Sequence, residues 1–210
     1  MTATEELNVA GLNVSRETLT ALHSFEALVQ RWTSVINLVS KQSLPYVWSR
    51  HILDSAQIFS VCPQNARSWV DLGSGGGFPG IVVAILAKEM KPDMNVTLVE
   101  SDLRKATFLR QAVQALNLPA NVVSQRIEAV EPLRADVLSA RALASLSDLL
   151  AFAVRHLHPD GVAVFPKGAK FAEEIAEART TWAFDVDTRP SLSEAEAAIL
   201  VIRNINRAHN

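Results

Sequence analysis

One segment, Val70-Asp71-Leu72-Gly73-Ser74-Gly75-Gly76-Gly77-Phe78-Pro79-Gly80, constrains this chain more than any other. It follows a short apolar run, Ser68–Leu72, of strand character and precedes an apolar stretch, Gly80–Met90, of helical length. The clustered glycines let the backbone turn sharply and bring bare N–H groups close to a ligand. A strand, a glycine turn and a helix in succession build an open α/β sheet, in which ligands bind at the carboxyl ends of the strands.

The alternation continues downstream. Strands are expected at Asn95–Val99, Asn121–Gln125, Ala135–Ala140 and Gly161–Phe165, and helices at Asp102–Asn117, Leu146–Leu157 and Phe171–Arg179. Two last strands, near 181–187 and 198–204, flank a polar loop and suggest an antiparallel hairpin. This pattern predicts an α/β fold, doubly wound around a mostly parallel sheet. Upstream, Leu22, Phe25, Val29, Trp32, Ile36 and Val39 line one face of a helix expected over 16–39, with Ser15 as its N-cap. A second helix is expected from Tyr46 to Phe59, with no strand before it. The organisation is therefore a helical extension, 1–62, followed by one compact ligand-binding unit, 63–210.

Composition narrows the function classes. A single cysteine, Cys62, excludes an intramolecular disulfide and suits a reducing, cytoplasmic setting. The opening residues Met1–Leu7 lack the basic and apolar regions of a signal peptide, and the longest apolar run, Ile81–Ala87, is far too short to span a bilayer. The formal net charge of −2 argues against tight binding of free nucleic acid, although the placement of charge matters more than its sum. No metal-ligand spacing, nucleophile elbow or P-loop lysine occurs, so no metal is expected.

Glycine spacing separates the remaining ligands. A dinucleotide fingerprint starting at Gly73 fails at Phe78; a shifted register through Gly75, Gly77 and Gly80 fits formally. The frame Asp71-x-Gly73-x-Gly75-x-Gly77 fits better the acidic-x-G-x-G-x-G pattern of class I S-adenosylmethionine (SAM)-dependent methyltransferases. Glu100, closing the next strand, is placed to accept the hydroxyls of an adenosine ribose, or simply to favour the dipole of the helix that follows. Asp71, Gly73, Gly75 and Glu100 are thus candidate cofactor residues.

A more specific resemblance rests on Arg50-His51-Ile52-Leu53-Asp54-Ser55, Asp71 to Gly80, Glu100 to Lys105, Arg126-Ile127-Glu128, Ser139 to Ala142 and Pro166-Lys167-Gly168. Together these runs resemble the RsmG (GidB) family, the bacterial 16S rRNA (guanine(527)-N(7))-methyltransferases, from about Trp32 to Lys167. The last ~40 residues carry little of the signal. The resemblance implies SAM as cofactor, with contacts at Gly73, Phe78, Ile127, Glu128 and Arg141, and 16S rRNA in the small ribosomal subunit or an assembly precursor as partner. A cytoplasmic monomer is expected. Core packing for Phe78 and Ile127, and surface ion pairs for Glu128 and Arg141, are the plainer alternatives. Arg50, Arg104, Lys105 and Lys167 are candidate RNA contacts, Lys167 with a solvated role as the alternative. Two cations at the start of a helix, Arg104 and Lys105, oppose its dipole. His51 and Asp54 read as structural residues tying the extension to the glycine loop. Gly76, where the family often carries Pro or Lys, should only loosen the turn. A small-molecule methyltransferase, a non-catalytic SAM-binding assembly factor and an NAD-dependent oxidoreductase are the rival readings.

Overall fold

A computed structural model describes residues 7–208. Most of the opening stretch read above for a signal peptide, residues 1–6, lies outside them. A seven-stranded sheet forms the centre. Its strands are β3 (Ser68–Leu72), β4 (Asn95–Val99), β5 (Ala120–Val123), β6 (Ala135–Ala140), β7 (Leu157–Lys167), β8 (Trp182–Pro190) and β9 (Ala198–Arg207), in the order β5-β4-β3-β6-β7-β9-β8. β9 runs antiparallel to both neighbours and the other pairings are parallel. Strand succession leaves β3 first toward β4 and β5, then crosses back to β6. The switch point therefore lies between β3 and β6, where a crevice opens at the carboxyl ends of the strands.

The helices cover both faces. On one lie α1 (Arg16–Thr33), α2 (Leu53–Phe59), α3 (Gly80–Met90) and α4 (Leu103–Ala115); on the other lie α5 (Leu146–His156) and α6 (Phe171–Ala178). Every residue of α3 from Gly80 to Ala87 is buried, which explains why its sequence is apolar on all sides. It is wedged between the sheet and α1, α2 and α4. Each of its larger side chains contributes ~1.5–3 kcal/mol by leaving water.

The opening region departs from the expected pair of helices. A hairpin, β1 (Leu7–Val9) with β2 (Leu12–Val14), precedes α1 and turns through Ala10 and Gly11, both at positive φ. Ser15 caps α1 as expected, accepting from the Thr18 N–H at 3.2 Å, and also binds Glu89 at the far end of α3. The helix stops at Thr33 rather than 39. Thr33 and Ser34 turn their hydroxyls back onto the carbonyls of Val29 and Arg31, both at 2.7 Å, and compete with continuation of the helix. The freed segment crosses the glycine loop, where a Cβ on Gly76 would sit 2.8 Å from the Leu38 carbonyl oxygen. Gly76 therefore admits a neighbouring backbone, and does more than loosen a turn. The second expected helix divides into a 3₁₀ turn, Leu44–Tyr46, a π turn, Trp48–Ile52, and α2. Such π turns cluster at functional sites, and this one carries Arg50 and His51. Among the described residues no helix is long and apolar enough to cross a membrane.

Candidate active site

The glycine loop leaves β3 at the switch point and is held from beneath. Asp71 is fully buried; its Oδ1 accepts from the Ser139 hydroxyl at 2.7 Å and its Oδ2 from the Gly80 N–H at 3.2 Å. Burial pushes its carboxyl up to about 6 against the pull of these hydrogen bonds and of Arg141. Ser139 in turn accepts from the Trp69 indole at 2.9 Å. Asp71 lines neither cavity described below, so the expectation of direct cofactor contact does not match its position. It locks β3, β6 and the start of α3 together, and shapes the loop from below.

Above this lock Gly75, at φ +53°, holds a conformation that favours glycine; a Cβ there would meet only the Gly73 carbonyl, at 3.6 Å. Its N–H donates to Glu100 Oε2 at 2.8 Å, while Glu100 Oε1 accepts from the Asp102 N–H at 2.8 Å. The carboxylate thus bridges the glycine loop and the approach to α4. Asp102 caps α4 by accepting from the backbone N–H groups of Arg104 and Lys105 at 2.8 and 3.2 Å. That cap offsets the two cations opposing the helix dipole.

A cavity of about 420 Å³ opens over this floor. Gly73, Gly75, Glu100, Lys105, Ile127 and Glu128 line it, with Leu143 and Phe152 as apolar walls. The fold brings together five candidate cofactor residues here, from the ends of β3 and β4 and from the 3₁₀ turn Ile127–Ala129 after β5. Lys105 belongs to this cavity rather than to an outer RNA face. Arg104 is exposed and lines neither cavity, its guanidinium 3.8 Å from Asp102.

A second cavity, about 540 Å³, adjoins the first across Ala142 and Ala144, which line both. Its walls come from the π turn and α2 (Arg50, His51, Asp54), the end of β6 (Arg141), the end of β7 (Lys167), α6 (Glu174) and the β8–β9 loop (Ser191, Glu194). Its charges are largely interlocked. Arg50 pairs with Glu194 at 2.5 Å, and Asp54 accepts from the hydroxyls of Ser191 and Ser193 at 3.1 and 2.5 Å. Lys167 is neither solvated nor free: its side chain is 9 % exposed and donates to Glu174 at 2.6 Å and to the Ala144 carbonyl at 3.0 Å. Glu174 also accepts from the Leu146 N–H that opens α5, at 3.0 Å.

Phe78 and Arg141, both expected at the cofactor, lie outside the smaller cavity: Phe78 lines neither cavity and Arg141 lines only the larger. The Phe78 ring lies 5.2 Å from Phe25 and 5.1 Å from His51, with the Arg141 guanidinium 6.0 Å from its centroid. Arg141 hydrogen-bonds His51 Nδ1. An arginine only donates, so Nδ1 accepts and a neutral His51 carries its proton on Nε2. Burial, with the charges of Arg141 and Arg50, holds the His51 pKa down at about 4. The expected tie between the extension and the glycine loop is thus made by His51 through Phe78 and Arg141, while Asp54 ties the extension to the β8–β9 loop. Sequence reasoning missed Glu174, Ser191, Ser193 and Glu194. They lie in the stretch with the weakest resemblance, and no local motif marks them.

Comparison with known proteins agrees with this geometry. The family model described as "GidB: rRNA small subunit methyltransferase G" matches residues 18–203, beyond the stretch from about Trp32 to Lys167 that carries the resembling runs. A protein named "Ribosomal RNA small subunit methyltransferase G" from Cereibacter sphaeroides is 50 % identical over 199 residues, covering 95 % of this chain and 97 % of its own. One of the same name from Ruegeria pomeroyi is 51 % identical over 196 residues, covering 93 % and 96 %. Among solved structures, M. jannaschii TYW2 in complex with AdoMet superposes with a TM-score of 0.57 at 16 % identity, covering 83 % of this chain and 80 % of that one. At that identity the likeness speaks for the fold, a class I methyltransferase architecture; the relatives' near-complete coverage speaks for more. The chain belongs to the rRNA small subunit methyltransferase G family.

Proposed function

We propose that this protein transfers a methyl group from SAM to N7 of a guanine in 16S rRNA of the small ribosomal subunit, the (guanine(527)-N(7)) reaction. The observation that carries the reading is the pair of adjoining cavities meeting at Ala142 and Ala144. The smaller one suits an adenosine: an open glycine cradle, a carboxylate for the ribose, and apolar walls at Ile127, Leu143 and Phe152 for a ring. The larger one leads directly from it and suits a base withdrawn from an RNA loop. In A-form RNA, N7 lies in a groove too narrow to read, so such a base is presented opened or in a loop.

When bound, SAM supplies an electrophilic methyl on sulfur. The chain's own residues position and shield. N7 holds a lone pair and no proton, so no general base is needed, and His51 is neutral near pH 7 because its pKa is held at about 4. Positive charge grows on the purine as its N7 is methylated. Of the carboxylates in the larger cavity, Asp54, bonded by the Ser191 and Ser193 hydroxyls, is the group of opposite sign, whereas Glu174 and Glu194 are already paired with Lys167 and Arg50. Arg141 lines the larger cavity, engaged with His51 and beside Phe78, a position suited to an anionic group rather than to the base. Leu143 lies over the loop, its Cδ1 2.6 Å from where a Gly73 Cβ would be, and gives the smaller cavity an apolar wall.

The test is methylation of small subunits from cells lacking the gene, with labelled SAM and mapping of the modified nucleoside. The expected product is 7-methylguanosine at the proposed base. A methyl on a ring carbon or exocyclic amine, or labelling of small molecules alone, would overturn the assignment.

A further inference from the structure

The turn that lines the cofactor cavity after β5 is only three residues long, Ile127–Ala129. Its own backbone bonds are few: Ala129 N–H to the Arg126 carbonyl at 2.9 Å and Val130 N–H to the Ile127 carbonyl at 3.3 Å. A 3₁₀ piece of that length does not hold its own geometry. It is held from behind by the last turn of α5. His156, completely buried, places Nε2 at 3.1 Å from the Ile127 carbonyl oxygen. The adjacent Arg155 reaches the Val130 carbonyl with Nε at 3.3 Å and Nη2 at 2.8 Å. A carbonyl only accepts, so the neutral His156 ring carries its proton on Nε2. Nδ1 is left buried without a partner. The ring therefore serves one bond, and that bond ends on the cavity wall.

We infer that His156, seconded by Arg155, is a positioning residue for the cofactor's adenine end, fixing the turn that presents Ile127 and Glu128 to the cavity. This rests on the SAM reading of that cavity. Neither residue lines the cavity, and they act on it only through backbone carbonyls. Their loss should weaken cofactor binding without slowing the methyl transfer once SAM is bound.

The experiment compares His156→Leu, His156→Gln and Arg155→Met by calorimetry with SAM and by single-turnover methylation at saturating SAM. His156→Leu keeps the burial and removes the donor. The expected loss of SAM affinity is about tenfold, the scale of one net hydrogen bond. The saturated rate should stay within about twofold of wild type. Glutamine presents an N–H at similar reach and should restore affinity to within about threefold, a rescue that a merely structural role would not show. Arg155 is exposed, so Arg155→Met should fold normally and lose about threefold in affinity; it decides the matter if His156→Leu does not fold. Unchanged affinity in Arg155→Met and His156→Leu, a saturated rate falling in step with affinity, or no rescue by glutamine would overturn the inference. Failure of the wild type to bind SAM would instead overturn the reading of the cavity.

Discussion

Glu100 is the most informative residue to perturb, because its carboxylate does two things at once. It accepts from the N–H groups of Gly75 and Asp102, each at 2.8 Å, and it forms part of the floor of the cofactor cavity while being only 8 % exposed. A hydrogen bond to a charged group contributes about 1.5–3 kcal/mol. Glu100→Ala removes two of them, but the Gly75 N–H borders a cavity that admits water, and water restores part of the loss. The net destabilisation should be about 2–3 kcal/mol, a fall in Tm of roughly 4–12 °C for a chain of this size. The ribose acceptor disappears as well, which should weaken SAM ten- to a hundredfold. Glu100→Gln separates the effects: its oxygen keeps one backbone bond while its NH2 faces the other donor, so about half the stability returns while SAM binding stays about tenfold weak. Calorimetry with S-adenosylhomocysteine and thermal unfolding of the three proteins read both quantities. If both variants lose stability yet bind the ligand as wild type does, Glu100 is a loop buttress only and the ribose role is wrong.

Four further outcomes follow from the same geometry. Gly80→Ala places a Cβ 2.3 Å from Leu98 Cδ2 and 2.7 Å from Asp71 Oδ2, inside the lock beneath the loop; overpacking of this kind should cost about 1–3 kcal/mol in urea unfolding, and wild-type stability would refute the packing argument. Asp71, raised from 3.8 to about 6 in the folded state, favours folding fully below pH 3.8, and that contribution is lost as pH rises through 6. Relative to Asp71→Asn, the wild type should therefore lose roughly 2 kcal/mol between pH 4 and 7, and a difference that does not vary with pH would show that Asp71 does not titrate there. The single-turnover rate should be flat from pH 6 to 8, because His51 is already neutral, and Cys62→Ser should match wild type, because burial pushes that thiol up to about 11 and it lines neither cavity; a rising limb near 6.5 that vanishes in His51→Ala would make His51 a general base.

The parallel sheet, the glycine loop and the cofactor cavity were legible in the sequence because each is written in short-range terms. Strands β3, β4 and β6 and helix α3 fall at the residues expected from apolar runs and breakers, since side-chain burial follows period two in strands and 3.6 in helices. Gly73, Gly75 and Glu100 meet because consecutive parallel strands bring their carboxyl ends side by side. What only the tertiary structure decided is set by pairs far apart in the chain. Asp71 belongs to a buried lock because β6 lies beside β3, which puts Ser139 under it from 68 positions away. Arg50 and Glu194, 144 positions apart, and Asp54 and Ser191, 137 apart, wall the larger cavity because β9 inserts between β7 and β8 and returns the hairpin loop to α2. His156 reaches Ile127 because α5 lies on the same face as the turn after β5. Local spacing is blind to such contacts: a lysine, a glutamate or a serine has the same neighbours in sequence whether it ends in solvent or in a cavity wall. The order in which the strands pair, driven by burial of the whole sheet, makes that choice.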